Sequence, residues 1–187
     1  RGSPSIAVMT RLTFLASLVF GTTLLAQTTD TKIKVACVGD SITAGARLKD
    51  PLKAYPAQLG ALLGEKYEVK NFGNSGSTML DEGNKPYKKQ KSFADAIAFV
   101  PDIVVIKLGT NDSKPLNWEK KEGFAASAKA LVAAFQKANA QVKVYLCYPV
   151  PVIAQGNFGI RNEIVKPEII PLLQQVATEM KLEVIDL

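Results

Sequence analysis

Apolar and polar positions along this chain alternate between two rhythms. Short runs crowded with β-branched and aromatic residues, Ile33–Val38 (IKVACV), Tyr67–Phe72 (YEVKNF), Asp102–Leu108 (DIVVIKL), Val142–Cys147 (VKVYLC) and Leu182–Leu187 (LEVIDL), predict five strands. Between them the spacing changes to steps of three and four. Phe124, Ala128, Leu131, Val132 and Phe135 share one helical face, and Ile169, Leu172, Leu173, Val176 and Met180 share another. Shorter helices are predicted over Tyr55–Lys66 and Gln90–Phe99. Strand then helix, with no internal repeat or low-complexity linker, predicts a mostly parallel sheet with helices on both faces, because parallel neighbours need a crossover of roughly a dozen residues. Such sheets bind ligands beyond the carboxyl ends of their strands. The last strand runs to the final residue with no covering helix after it, an abrupt place for a domain to stop.

Ahead of the first strand the pattern is different. From Met9 the chain reads Met-Thr-Arg, an apolar run from Leu12 to Leu25, then Ala26-Gln27 and a polar Thr/Asp stretch. One positive charge, a short apolar core and a small residue before a cut predict a secretory signal peptide over residues 9–26, and a secreted or periplasmic mature protein. The apolar core, about fifteen residues, is shorter than the roughly twenty of a membrane-spanning helix. No stable membrane association is expected after cleavage, and an uncleaved N-terminal anchor is the alternative. Arg1–Val8 precede this segment and read as upstream sequence outside the fold, which leaves one domain over residues 32–187.

Composition narrows the chemistry. With 187 residues, 47% apolar and 21% charged, the chain can bury a core, which excludes collagen-like, coiled-coil and disordered classes. It contains no histidine, so these residues hold no histidine-dependent triad and no histidine metal site. Cys37 and Cys147 are its two cysteines, too few for a cysteine-only zinc site or a disulfide framework. No metal or cofactor is expected. Removing the leader takes away Arg1 and Arg11 and no acid, lowering the surplus of +6 by two. The densest basic cluster, Lys85, Lys88, Lys89 and Lys91 around Pro86 and Tyr87, lacks interleaved aromatics and reads as a solvated loop face, so no nucleic-acid partner is expected.

The chemistry-bearing residues lie after the strands. The first strand enters Gly39-Asp40-Ser41-Ile42-Thr43-Ala44-Gly45, a turn whose glycines allow tight backbone and a projecting serine hydroxyl. By itself this turn suits a nucleophile, an anion nest, or an ordinary strand-to-helix turn capped by serine. The second strand leads to Asn71–Thr78, where Gly76 offers an unobstructed N–H, and the third leads to Gly109-Thr110-Asn111-Asp112. Lys107, in an otherwise apolar strand, is either the base of a Ser-Lys dyad or a lysine whose amine snorkels to water. The Pro/Gly-rich segment Tyr148–Lys166 follows the fourth strand, and its Tyr148, Phe158 and Arg161 either contact substrate or belong to a packed loop.

GDSIT at Gly39–Thr43, NSGST at Asn74–Thr78 and GTND at Gly109–Asp112 resemble, in order and spacing, the first three sequence blocks of the SGNH (GDSL-type) hydrolases. The resemblance implies a three-layer α/β/α, flavodoxin-like fold with a five-stranded parallel sheet in the order 2-1-3-4-5. It also implies a carboxylic ester hydrolase with Ser41 as nucleophile, and oxyanion donors from the Ser41 N–H, the Gly76 N–H and the Asn111 side-chain amide. Asp40 corresponds to a supporting residue and not to the triad acid. In that strand order Cys37 and Cys147 are not on neighbouring strands and are expected as free, buried thiols. The stretch Gly109–Trp118 (GTNDSKPLNW) is similar to sialate and xylan acetylesterase-like members, which implies a carbohydrate ester, most simply an acetyl ester, as the small-molecule substrate. The family's fourth block, Asp-x-x-His, is missing where the sequence stops at Asp186-Leu187. This implies a C-terminally truncated chain that lacks the catalytic Asp and His and is inactive or impaired as it stands. The alternatives are a lysophospholipase or thioesterase, which needs an apolar groove, a non-catalytic anion-binding α/β module, and a fragment that does not fold stably. The anion-binding alternative lacks both the GxxxxGK[ST] and the GxGxxG fingerprints. No oligomeric state is indicated.

Overall fold

The computed structural model describes Gly2 and residues 31–152 and 157–187. The segment read as a signal peptide and, apart from Gly2, the residues before it lie outside the described residues. Five strands form, Ile33–Gly39 (β1), Tyr67–Gly73 (β2), Ile103–Lys107 (β3), Lys143–Cys147 (β4) and Glu183–Ile185 (β5). All pair in parallel, in the order β2-β1-β3-β4-β5. The chain steps from β1 outward to β2, then back past β1 to β3, so the winding direction reverses between β1 and β3. A crevice opens above the carboxyl ends of the strands at such a reversal.

The helices are Ser41–Ala44 (α1), Tyr55–Leu63 (α2), Lys91–Ala98 (α3), Pro115–Trp118 (α4), Phe124–Ala138 (α5), Asn162–Ile164 (α6) and Ile170–Met180 (α7). On α5 the expected face, Phe124, Ala128, Leu131, Val132 and Phe135, is buried throughout. On the C-terminal helix Ile169, Leu173 and Val176 are buried, and Leu172 and Met180 pack at the edge of the core. These faces meet Ala36, Val38, Val104, Ile106, Val144 and Leu146, which point to one side of the sheet because side chains alternate along a strand.

The C-terminal helical stretch starts earlier than its apolar spacing indicates. The chain turns helical at Asn162 and passes through a π-helical turn, Val165–Ile169, before α7. Pro167 sits inside that turn; it has no N–H to donate and its ring crowds the carbonyl four residues earlier, which favours the wider winding over a regular α-helical turn. The segment Tyr148–Lys166 is therefore helical at its end.

The opposite face of the sheet is covered differently. There α2 packs along β2, whereas Val35, Ile103, Val105, Tyr145, Cys147 and Ile185 line a trough of about 550 Å³. Cys37 and Cys147 are both free and buried, with β3 between their strands. No helix among the described residues is long and apolar enough to cross a membrane.

Candidate active site

Ser41 is placed by the end of β1. The strand closes at Gly39, and α1 begins at Ser41 with Asp40 as its cap: Asp40 Oδ1 accepts a 2.9 Å hydrogen bond from the Ile42 N–H. The capping group is thus the aspartate and not the serine, which leaves the Ser41 hydroxyl free of that task. The end of β2 fits tightly against α1. A Cβ on Gly73 would stand 2.2 Å from the Ala44 nitrogen, so only glycine lets the two backbones approach.

Gly76 lies in the following turn at φ +82°, a left-handed conformation that favours glycine. Its N–H has no acceptor among the described residues. Asn111 follows β3, is 4% exposed, and donates one amide hydrogen to the Ser77 carbonyl at 3.1 Å. A primary amide carries two hydrogens, so a second remains for a ligand.

Ser41, Gly76 and Asn111, which follow three neighbouring strands, line one cleft of about 410 Å³ together with Arg47, Lys114 and Phe158. The charged residues at its wall are cations, which suits a ligand that develops negative charge. The Arg47 guanidinium lies over the Phe158 ring, 4.6 Å from its centroid. Of the three loop residues singled out after the fourth strand, Phe158 alone reaches the cleft. Arg161 instead ties its loop down, its N–H and Nε donating to Ser113 Oγ and Ser113 O at 3.0 and 2.6 Å. Tyr148 is buried in the core, and its hydroxyl bonds to Gln174.

Buried ionisable side chains support the cleft from below. Asp112 is fully buried and accepts from the Met79 N–H at 2.9 Å and the Leu80 N–H at 2.8 Å, which ties the Asn111 turn to the segment after Gly76. Burial pushes its pKa up to about 7 against the pull of those donors. Lys107 is 2% exposed; its amine does not snorkel to water but stops 3.9 Å from Asp40 Oδ1. It forms no hydrogen bond among the described residues, with Ser41 or otherwise, so the arrangement contains no Ser-Lys dyad. Desolvation lowers its pKa, with Asp40 acting in the opposite sense. The sequence pattern missed Asp112 entirely; a clue lay only in its place beside Asn111 in an otherwise polar turn.

The lysine cluster near Tyr87 is engaged locally. Lys88 pairs with Asp81, Lys91 with Asp95, and Lys85 donates to the Ser75 carbonyl. Among the described residues no group of three or more His, Cys, Asp and Glu side chains is placed to hold a metal ion.

Ser41, Gly76 and Asn111 thus gather beyond the carboxyl ends of a parallel α/β sheet, where its winding direction reverses. The chain belongs to the GDSL-like lipase/acylhydrolase family, with the match spanning residues 37–187. It is 42% identical over 173 residues to an acetylxylan esterase from Xylanibacter ruminicola, a match covering 83% of this chain and 36% of that protein. This chain thus spans little more than a third of that relative's length. Among solved structures it resembles Est24, a carbohydrate acetylesterase from Sinorhizobium meliloti, with a TM-score of 0.67 and 26% identity over 83% of this chain and 84% of the other. The fold is shared also with an inhibitor-bound aryl esterase from M. smegmatis, with a TM-score of 0.63 and 20% identity over 82% and 83% of the two chains.

Proposed function

We propose that this chain is the nucleophile-bearing part of a secreted or periplasmic serine esterase that removes acetyl groups from a carbohydrate. The observation that carries the reading is the convergence of Ser41, Gly76 and Asn111 on one cleft. The substrate class is supported by the acetylxylan esterase and carbohydrate acetylesterase likenesses. In this reading Ser41 Oγ attacks the acetyl carbonyl carbon while a base takes its proton. The Ser41 N–H, the Gly76 N–H and the second Asn111 amide hydrogen hold the resulting oxyanion, and collapse expels the sugar hydroxyl, which takes up a proton. Water then attacks the acetyl-serine, releasing acetate and restoring Ser41. The 187 residues contain no histidine, and the reading assigns the base to none of them.

Steady-state hydrolysis of p-nitrophenyl acetate and release of acetate from acetylated xylan by the whole protein test the reading. Ser41→Ala should abolish both, and turnover at the wild-type rate would remove Ser41 from the mechanism. A second reading, hydrolysis of longer acyl esters, draws on the apolar trough, which shares Ile42 with the cleft. Acyl length separates the two. Each methylene that found an apolar groove would add up to roughly 0.8 kcal/mol of binding, so kcat/KM rising from acetyl to octanoyl esters would favour the second reading, and a fall would favour the first.

A further inference from the structure

Beneath the Ser41 turn lies an ion pair to which acyl transfer assigns no role. Lys107, the last residue of β3, is in register with Gly39, the last residue of β1. Its side chain lies below the turn that follows Gly39, where its ammonium is 3.9 Å from Asp40 Oδ1, and the two side chains are 2% and 0% exposed. That same Oδ1 accepts from the Ile42 N–H and so caps the helix that Ser41 begins. Lys107 Nζ and Asp40 Oδ2 lack hydrogen-bond partners among the described residues. The other buried acid nearby, Asp112, is engaged by the Met79 and Leu80 N–H groups. On its remaining side Lys107 borders the trough, where Val105, Tyr145 and Cys147 are its neighbours. Burying a charged group so far from water is costly unless its opposite lies beside it, so each member of this pair offsets the burial of the other.

We propose that Lys107 is a positioning residue for Ser41: its ammonium fixes the Asp40 carboxylate in the orientation that caps α1, and the cap aims the Ser41 hydroxyl and N–H into the cleft. A helix cap by itself needs only an oxygen, which an asparagine also supplies. The lysine adds a fixed charge that stops the carboxylate from turning away from Ile42. The kinetic consequence rests on Ser41 being the nucleophile, whereas the conformational one does not.

The test has a readout for each, in the full chain. Lys107→Met keeps an unbranched side chain one atom shorter than lysine and removes the charge. It should shift the Ile42 amide resonance and speed its hydrogen exchange about tenfold, since a loosened cap opens locally. Asp40→Asn keeps a cap oxygen and should do the same, and the double variant should do no more than either single one, because the two residues act as one unit. In the hydrolase, Lys107→Met should lower kcat roughly 10- to 100-fold at unchanged KM, measured per folded molecule. An unaltered Ile42 amide overturns the proposal, as does an altered amide with unaltered kcat or a lowered melting temperature alone. Should Lys107→Met fail to fold, the Asp40→Asn measurements decide by the same criteria. Ser41→Ala serves as the separate control: if it retains turnover, the nucleophile reading fails while the amide comparison still decides whether Lys107 holds the Asp40 cap.

Discussion

Asn111 and Asp112 are adjacent in one turn and serve the cleft in different ways. Asn111 anchors itself through Ser77 and keeps a donor in reserve, so its effect should fall on developing charge. Asn111→Ala in the whole enzyme is expected to lower kcat roughly 100- to 1000-fold with little change in KM, and a change confined to KM would make it a residue that binds the ground state. Asp112 holds the turn itself, and its pKa is raised from the ordinary 3.8 to about 7 by burial. The folded chain therefore keeps this proton through a window in which the unfolded chain has released it. The stability this group contributes is fully present below the lower value and is lost as pH rises toward the higher one. Urea unfolding at intervals across that window should show the decline, and Asp112→Asn should flatten it. That Ser41, Gly76 and Asn111 share one cleft was legible in the sequence because each sits in a Gly-containing polar turn after a predicted strand, whereas their roles came from the family resemblance. The supports of the site were not: Asp112 finds its partners 32 and 33 residues away, and Lys107 is drawn inward by an acid on another strand's loop.

At the level of elements, the period of the apolar positions carried most of the information. Short apolar runs, mostly buried in β1, β3 and β4, and helices with one buried stripe differ plainly in spacing, and the observed bounds depart from the expected ones by a few residues at the ends. The helical start at Asn162 was hidden because Pro167 interrupts the pattern, and a proline in a run reads locally as a break. The close seating of α1 on the end of β2 was equally invisible, since it depends on backbone approach and not on periodicity. Gly73 carries that contact. Gly73→Ala should cost roughly 1–3 kcal/mol or more in chemical denaturation, because the added methyl meets backbone that cannot turn aside. Wild-type stability in this variant would mean that α1 is free to shift.

Across the whole molecule, the two faces of the sheet are unequal. One is packed by α3, α5 and α7; the other, among the described residues, carries the apolar trough, lined from β1, β3, β4 and β5. Fully parallel sheets are ordinarily covered on both faces. An apolar surface of this kind binds hydrophobic dyes. The 187-residue chain, while still showing a sharp thermal transition, should enhance the fluorescence of 8-anilinonaphthalene sulfonate, and no enhancement would mean that the face is covered.

The way the cleft is assembled has a consequence for time as well as for space. Ser41, Gly76 and Asn111 ride on three different strands, and each is brought to the others only when β2, β1 and β3 have docked side by side. Parallel pairing joins residues far apart along the chain and is slow to form. A slip of one residue in either pairing would turn the strand's side chains to the wrong face. On the proposed reading of Ser41 as nucleophile, a reagent that reports when its hydroxyl becomes reactive works as a stopwatch for the docking of the central strands.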